Sequence, residues 1–209
     1  ANEVEIVISR VADPPLSNVR SVVSPFRFAG VGRLTPRRLE QLRRESLPVP
    51  DLIYLPLGTV GTAAGLLLGI RLAGLSSRMV AVRVVRSDIA RPERFRRLTE
   101  ATGQLLDSPA SLEGELPEIR HEFLGPGYGR FTPEGVAAME TARRSLGLKL
   151  EGTYTGKAFA ALLQDCRDGR LAGANVLFWN TYNSRPFPET VLVLPPVPGF
   201  SRHLRASPS

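Results

Sequence analysis

The sequence predicts an α/β domain in which helices cover both faces of a mostly parallel β-sheet, giving a three-layer sandwich. Two observations carry this prediction. Short apolar runs rich in valine, isoleucine and leucine alternate along the chain with longer helical segments, as in βαβ units. Capping residues and glycines separate the two kinds of segment, and the chain shows no internal repeat.

The predicted elements follow in chain order from these signals. Strands are predicted at residues 3–9, 51–57, 78–85 and 175–179, and helices at residues 34–47, 61–74, 91–106, 131–147 and 156–169. Thr35 and Thr132 are N-caps, each followed by proline at the first helical position. Gly74 and Gly147 end their helices. Residues 191–209 form a Pro-rich tail that is expected to be irregular.

Composition narrows the classes of function. The chain has a formal net charge of +7, and 25 of its 27 basic residues are arginines. The basic groups at residues 36–45 and 91–97 lie in predicted helices among glutamates, which indicates a solvated helix face and no nucleic-acid partner. The single cysteine, Cys166, excludes an internal disulfide and predicts a reducing, cytoplasmic location. His121 and His203 lack metal-ligand spacing, so no metal is expected.

An uncharged run from Leu52 to Ile70 is long enough to span a membrane. Pro56 and Gly58 interrupt this run, and its first part is strand-like. The helix that follows is too short to span and includes Arg71. We therefore expect a strand and a helix that lies close on the sheet, and no membrane partner.

The turn between that strand and that helix, PLGTVGTAAG at residues 56–65, is rich in glycine and threonine. Ligands of open α/β sheets bind beyond the carboxyl ends of the strands, where such a turn presents backbone N–H groups and a helix N-terminus favours an anion. Gly58 and Gly61 allow close approach, and Thr59 and Thr62 can donate hydroxyl hydrogen bonds. The spacing matches neither the Walker A loop nor G-x-G-x-x-G. The turn alone indicates either a phosphate site or a tight connection without a ligand.

Three later stretches are GPGYGRFTPEG at residues 125–135, YTGKAFAALL at residues 154–163 and NVLFWNTYNSRPF at residues 175–187. Together with the glycine turn, they make residues 50–187 similar to the family of D-cysteine desulfhydrase and 1-aminocyclopropane-1-carboxylate (ACC) deaminase. These are pyridoxal-phosphate enzymes of fold type II, the tryptophan synthase β-like fold. The resemblance implies a large cofactor domain over residues 1–190, with residues 1–25 as a candidate edge of a small domain. It also implies pyridoxal 5'-phosphate as cofactor, a small amino-acid substrate and a homodimer.

The resemblance also assigns roles to individual residues. It implies that Tyr128 and Tyr154 lie near the substrate and take part in proton transfer, and that Thr181 hydrogen-bonds the pyridine nitrogen. The residues implied to bind the cofactor are Gly58, Thr59, Val60, Gly61, Thr62, Thr155 and Thr181. Lys157 matches a lysine outside the covalent role.

Position 155 distinguishes the two branches of this family. In the deaminase branch a glutamate follows the second tyrosine and faces the pyridine nitrogen, where its charge favours a protonated, strongly electron-withdrawing ring. The residue here is Thr155, and Thr181 is also neutral. The resemblance therefore implies β-elimination by a desulfhydrase-like lyase rather than ring opening.

Four residues depart from the family pattern. The turn has Val60 where the family usually has glycine, and the last strand ends in NTYN where the family has HTGG. We expect Asn180, Tyr182 and Asn183 to reshape the pocket, which leaves the identity of the substrate open.

The lysine that binds the cofactor covalently has no counterpart in these residues. The two lysines, Lys149 and Lys157, do not fit that role by position, and the family's lysine lies nearer the N-terminus. The first residues already have the pattern of a strand. We therefore expect the chain to be the C-terminal portion of a longer enzyme and to be catalytically inactive on its own.

Two other interpretations stay open. One is a non-catalytic homologue that keeps the phosphate turn and has lost the chemistry. The other is a nucleotide-binding module, which is disfavoured because no acidic ribose partner of the expected kind follows the turn. Asp88 lies at about the right distance, but it opens a loop.

Overall fold

The computed structural model describes residues 2–10, 19–26, 48–105 and 116–182, which form one six-stranded sheet with helices on both faces. The strands are β1 (Asn2–Arg10), β2 (Val19–Phe26), β3 (Leu52–Leu57), β4 (Arg78–Arg83), β5 (Glu118–Arg120) and β6 (Asn175–Asn180). The helices are α1 (Gly61–Leu72), α2 (Pro92–Leu105), α3 (Pro133–Leu146) and α4 (Thr155–Arg167), with a 3-10 turn at Glu122–Leu124. The helix predicted at residues 34–47, its cap Thr35 and the predicted tail at residues 191–209 lie outside the described residues.

The order of the strands in the sheet is β2-β1-β6-β3-β4-β5. Strands β6, β3, β4 and β5 run parallel, and Leu52 of β3 is in register with Val176 of β6 on one side and Arg78 of β4 on the other. Strand β1 runs antiparallel to both β6 and β2. The predicted mostly parallel sheet is thus confirmed. The assignment of residues 1–25 to a second domain stays a prediction.

The parallel strands are apolar on both faces because helices cover both. Ile53 and Leu55 of β3 pack in an apolar cluster with α1 and α2, whereas Tyr54 packs in a second cluster with α3 and α4. Trp179 of β6 is 4% exposed and packs on the α1–α2 face. The predicted three-layer arrangement is confirmed.

Local signals set the ends of α1 and α3. The Oγ1 atom of Thr132 accepts a hydrogen bond from the N–H of Gly135 at 3.0 Å, and Pro133 is the first residue of α3. Gly147 ends that helix in the left-handed conformation, with φ of 64°. Gly74, with φ of 62°, follows α1 in the same way. These predicted caps are confirmed.

The sequence does not predict β2, β5 or the 3-10 turn. Strand β5 has three residues, which is too short to show an alternating pattern. Strand β2, with the sequence VRSVVSPF, contains two serines and a proline and so lacks a clear strand signal.

The uncharged run from Leu52 to Ile70 forms β3, the glycine turn and most of α1. None of the described helices is long and apolar enough to cross a membrane.

The basic group on α2 lies on the surface. Arg94, Arg96 and Arg97 are all exposed, as expected of a solvated helix face.

A buried polar cluster joins β3, β5 and α4 on the α3–α4 face. The Tyr54 hydroxyl donates to Oδ2 of Asp165 at 2.7 Å, and the Arg120 guanidinium donates to the same carboxylate. Arg120 also donates to Oε1 of Glu122 at 2.6 Å. Burial and the hydrogen bond to Asp165 raise the pKa of Tyr54 well above its usual value, so its hydroxyl keeps its proton. Each buried charge of this cluster therefore has an opposite charge as its hydrogen-bond partner.

We expect Asp165→Ala to lower the free energy of unfolding by about 3–5 kcal/mol, because the buried Arg120 would lose its buried partner. Tyr54→Phe removes one hydrogen bond to the carboxylate and should cost about 1.5–3 kcal/mol. Urea unfolding with an unchanged m value measures both effects. Asp168→Ala, at the exposed end of the same helix, is the matched control and should change stability little. An Asp165→Ala variant as stable as that control would contradict this account.

Candidate functional site

The glycine turn lies between the carboxyl end of β3 and the first turn of α1. Val60 is the N-cap of α1, no side chain caps the helix, and the first turn contains no acidic residue. The first N–H groups of a helix have no partner within the helix, so here they face outward without a side-chain acceptor. The positive end of the helix dipole adds to their attraction for an anion.

Val60 holds the turn in an unusual backbone conformation. It is the one non-glycine residue of the described chain with positive φ, at 76°. This left-handed conformation costs a residue with a Cβ about 1–2 kcal/mol, and a β-branched side chain is rarely found in it. The side chain of Val60 is 2% exposed and packs in the apolar cluster with α1 and α2. Burial of the valine side chain therefore offsets the backbone strain.

The turn forms one wall of a pocket of about 130 Å³ at the carboxyl edge of the sheet. Its lining residues are Pro56, Leu57, Gly58, Thr59, Val60, Gly61, Thr62, Ala63, Tyr154 and Thr181. Thr181 reaches this edge because it follows β6, which runs parallel to β3. The structure thus brings together most of the residues that the sequence predicts for the site. A pocket of this size is smaller than the about 300–1,000 Å³ typical of a whole ligand site, so it has room for only one part of such a ligand.

A pair of tyrosines lies beside the pocket. The hydroxyl oxygens of Tyr128 and Tyr154 are 2.8 Å apart, and their rings meet edge to face with centroids 5.8 Å apart. A Cβ atom at Gly58 would lie 3.1 Å from Cε1 of Tyr154, so glycine there allows the ring to lie against the turn. Burial raises the pKa of Tyr154 to about 12, with further contributions from the Tyr128 hydroxyl and the Glu151 charge. Tyr154 is therefore a protonated hydroxyl near neutral pH.

Glu151 orients Tyr154, a role that the sequence interpretation missed. Its carboxylate accepts hydrogen bonds from the backbone N–H groups of Thr153, Tyr154 and Thr155 at 2.7, 2.7 and 2.8 Å. It thereby satisfies the first N–H groups of α4 and fixes the backbone that carries Tyr154. An acidic residue just before a predicted helix was the available sequence signal.

Thr155 is not brought to this pocket. It is completely buried, and its Oγ1 atom accepts a hydrogen bond from the N–H of Glu151 at 2.9 Å. Its side chain is used to close the turn before α4. The contact with the cofactor implied for Thr155 stays a prediction.

The residues that depart from the family pattern at the end of β6 are partly described. Asn180 is 1% exposed and does not line the pocket; its Nδ2 donates to the Lys149 carbonyl at 3.2 Å, and its Oδ1 accepts from the N–H of Tyr182 at 3.0 Å. It therefore holds the end of β6 in place beside Thr181. Tyr182 is exposed, and Asn183 lies outside the described residues.

Metal binding finds no support in the part of the chain that the structure describes. It contains no group of three or more histidine, cysteine, aspartate or glutamate residues that could hold a metal ion. Cys166 is free and half-buried on α4.

An α/β domain with a capless helix N-terminus and several hydroxyl groups at one edge of a parallel sheet is of the class that binds a phosphorylated cofactor. The chain matches the family described as pyridoxal-phosphate dependent enzyme over residues 3–181 and belongs to that family. Pyridoxal 5'-phosphate is the cofactor of this family. The family resemblance and the cofactor that the sequence predicts are confirmed.

Individual relatives agree with this assignment. The chain is 32% identical over 159 residues to nocardicin C-9' epimerase of Nocardia uniformis subsp. tsuyamanensis, covering 75% of this chain and 46% of that protein. It is 32% identical over 152 residues to a protein of Pyrococcus abyssi named as a putative ACC deaminase, covering 73% of this chain and 43% of that protein. The crystal structure of an ACC deaminase homologue superposes with a TM-score of 0.62 at 26% identity, covering 73% of this chain and 46% of that one. The predicted fold type II is confirmed, and the chain spans about half the length of these relatives.

The residues at the turn fit the phosphate end of this cofactor. The first N–H groups of α1 lack a side-chain cap, and no carboxylate in the first turn would repel a phosphate. A Cβ atom at Gly61 would meet nothing within 4 Å, so the outer side of the turn is open. Gly58–Thr62 therefore form a cradle in which a phosphate group finds donors and space.

We expect Val60→Gly to be more stable than Val60→Ala by about 1 kcal/mol, because only glycine adopts the left-handed conformation without cost. Both variants lose the buried valine side chain, so the difference between them isolates the backbone. In the control, Ala64→Gly within α1, glycine should instead cost about 1 kcal/mol. Urea unfolding measures all three. If Val60→Ala is at least as stable as Val60→Gly, the strain at this turn does not exist in solution.

Proposed function

We propose that this chain provides the phosphate-binding part of a pyridoxal-phosphate lyase that acts on a small amino acid by D-cysteine desulfhydrase-like β-elimination. The observation that carries the proposal is the pocket that the turn forms with Tyr154 and Thr181. Its lining offers backbone and hydroxyl donors and, among the residues described, no carboxylate. When bound, the cofactor withdraws electrons from the α-carbon of an amino acid, which makes that carbon acidic.

The phosphate end of the cofactor is assigned to the turn. Gly58, Val60 and Gly61 supply close backbone approach, while Thr59 and Thr62 supply hydroxyl donors. The N-terminus of α1 stabilises the negative charge of the phosphate. These contacts hold the cofactor without touching the reacting carbon.

The preference for β-elimination rests on the neutral partner proposed for the pyridine nitrogen. Thr181 lines the pocket and is neutral, and the other residue implied to contact the cofactor ring, Thr155, is neutral as well. A neutral hydroxyl does not stabilise a protonated ring as a carboxylate would, so the ring withdraws fewer electrons. A ring that withdraws fewer electrons is sufficient for β-elimination, because the β-substituent, such as a thiolate, leaves with the bonding electrons.

Tyr154 is assigned a proton-holding role. Its pKa of about 12 keeps the proton on the hydroxyl, so that Tyr154 can donate a hydrogen bond to a substrate carboxylate or to a departing thiolate. Tyr128 accepts or donates a hydrogen bond to the same oxygen and can exchange a proton with it. The pair is thus suited to moving a proton between the pocket and its exposed rim.

The base that removes the α-proton is proposed to lie outside these 209 residues. Lys149 is exposed, and the Lys157 ammonium is bonded to two carbonyl groups of the loop that carries Tyr128; neither lines the pocket. We therefore propose that the chain alone does not catalyse the reaction. The large-domain boundaries at residues 1–190, a homodimer and a cytoplasmic location belong to the same proposal.

A cofactor-binding protein without catalysis is the second candidate. The strained Val60 and the Asn180 that replaces a histidine of the family pattern are departures that favour it. The epimerase and deaminase named among the relatives differ in reaction, so similarity by itself does not decide between activities.

We expect Gly61→Asp to weaken the binding of pyridoxal 5'-phosphate at least about tenfold, because a carboxylate would face the phosphate across the cradle. Gly61→Asn has the same shape without the charge and is the matched control. Position 61 is exposed and has room for a side chain, and an aspartate in the first turn favours the helix itself. Loss of binding would therefore not reflect unfolding. Cofactor absorbance titration measures the affinities, and equal values for the two variants would place the phosphate elsewhere.

The chemistry is tested on the protein encoded by its full natural reading frame, reduced with borohydride and digested for peptide mass spectrometry. We expect a pyridoxyl adduct on a lysine other than Lys149 and Lys157, followed by release of thiol and 2-oxo acid in a screen of small amino acids. Cofactor that binds without an adduct on any lysine would support the non-catalytic candidate. An adduct on Lys157 would contradict the assignment of the base.

A further inference from the structure

Lys157 is a completely buried lysine that the proposed function does not use. It lies one turn after Tyr154 on α4 and is 0% exposed. Its Nζ atom donates hydrogen bonds to the carbonyl of Leu124 at 2.7 Å and to the carbonyl of Gly127 at 3.2 Å. Burial lowers its pKa, while the charge of Glu151 opposes that shift. A buried ammonium is costly unless its donors find acceptors, and these carbonyls accept from two of its three N–H groups.

The loop that Lys157 binds is rich in glycine, which can adopt backbone conformations that are unfavourable for other residues. Gly125, Gly127 and Gly129 all have positive φ, at 65°, 152° and 72°. A Cβ atom at Gly125 would lie 2.3 Å from Cγ2 of Thr132, so close packing also requires glycine there. Glycines of this kind allow the loop to take its shape but do not hold it there. The ammonium of Lys157 supplies an interaction that does.

Tyr128 lies in this loop, directly after one of the two carbonyl groups that Lys157 binds. Its side chain is 57% exposed, so packing beyond the edge-to-face contact with Tyr154 contributes little to its position. The hydroxyl of Tyr128 nevertheless lies at hydrogen-bond distance from that of Tyr154. Both hydroxyls are therefore tied to the start of α4, one through its own backbone and the other through the Lys157 side chain.

We propose that Lys157 is a positioning residue, which binds the carbonyl groups of Leu124 and Gly127 and thereby holds the Tyr128 hydroxyl against that of Tyr154. The catalytic meaning of this pair rests on the proposed function, but the positioning itself does not. Lys157 touches neither the pocket nor its proposed ligand. It acts through the loop and through Tyr128.

The test uses Lys157→Met, which keeps an unbranched side chain and removes the donors, in protein labelled with ¹³C at Cζ of tyrosine. Tyr154→Phe identifies the resonance of Tyr154. In the wild type this group should titrate with a pKa of about 12. We expect Lys157→Met to lower that pKa by about one unit, because the Tyr154 hydroxyl would lose the Tyr128 oxygen as acceptor for its proton. Lys149→Met, at the other lysine of the chain, is the matched control and should leave it unchanged.

A double-mutant cycle with Tyr128→Phe separates positioning from a general loss of packing. Tyr128→Phe should lower the Tyr154 pKa by as much as Lys157→Met, and the double variant should show no further shift. Shifts that add, or a Tyr154 pKa of about 12 retained in Lys157→Met, would overturn the proposal. If Lys157→Met does not fold, Lys157→Gln replaces it; its shorter amide cannot reach both carbonyls, so the same fall in pKa is expected.

The cofactor-loaded protein encoded by the full natural reading frame supplies a second readout. Lys157→Met should lower kcat at least about tenfold while leaving cofactor affinity unchanged, because Lys157 acts on the tyrosine pair and not on the phosphate cradle. An unchanged kcat with a shifted Tyr154 pKa would refute a role of the tyrosine pair in catalysis, while the positioning of Tyr128 by Lys157 would stand. Absence of cofactor binding in the wild type would refute the proposed function and leave the tyrosine measurement valid.

Discussion

The parallel pairing of β3 with both β4 and β6 is the constraint on which the described structure depends. Parallel strands end at the same edge, so the turn after β3 and Thr181 after β6 meet there although they are distant in sequence. The loop after β5 and its 3-10 turn reach the same edge, since β5 is parallel to β4. Connections of this kind require helices on the faces of the sheet, and those helices bury both faces of every central strand. The site is thus a consequence of strand direction.

The first turn of α4 organises the other side of the site. Glu151 binds the N–H groups that begin this helix, which fixes Tyr154 against Gly58. One turn further on, Lys157 reaches back to the loop of Tyr128. A negative side chain and a positive one, six residues apart, therefore satisfy backbone groups of opposite sign. Neither charge lines the pocket. The residues of the site are thus largely neutral, and the buried or partly buried charges next to them hold the backbone that carries the two tyrosines.

The sequence predicted the elements that have strong local signals. Strands β1, β3, β4 and β6 and all four described helices follow from apolar periodicity, threonine caps and terminal glycines. Strand β5 and the 3-10 turn are too short for periodicity to show, and they exist because neighbouring strands supply hydrogen bonds. The glycine turn was recognisable from composition, but the left-handed conformation of Val60 was not, because valine rarely adopts it. The cap provided by Glu151 and the reach of Lys157 to a loop 30 residues away depend on tertiary packing.

The central position of β3 has a consequence for the way in which the chain is synthesised. Its partner β4 follows within a few tens of residues, but β6 is much later, as the bond from Asn175 to Asp51 across 124 residues shows. At about 5–20 residues per second, a ribosome needs about 6–25 seconds to produce the intervening chain. During that time one edge of a six-residue apolar strand has no parallel partner from β6. The nascent chain therefore passes through a period in which this edge is a target for chaperones and for misassociation with other chains.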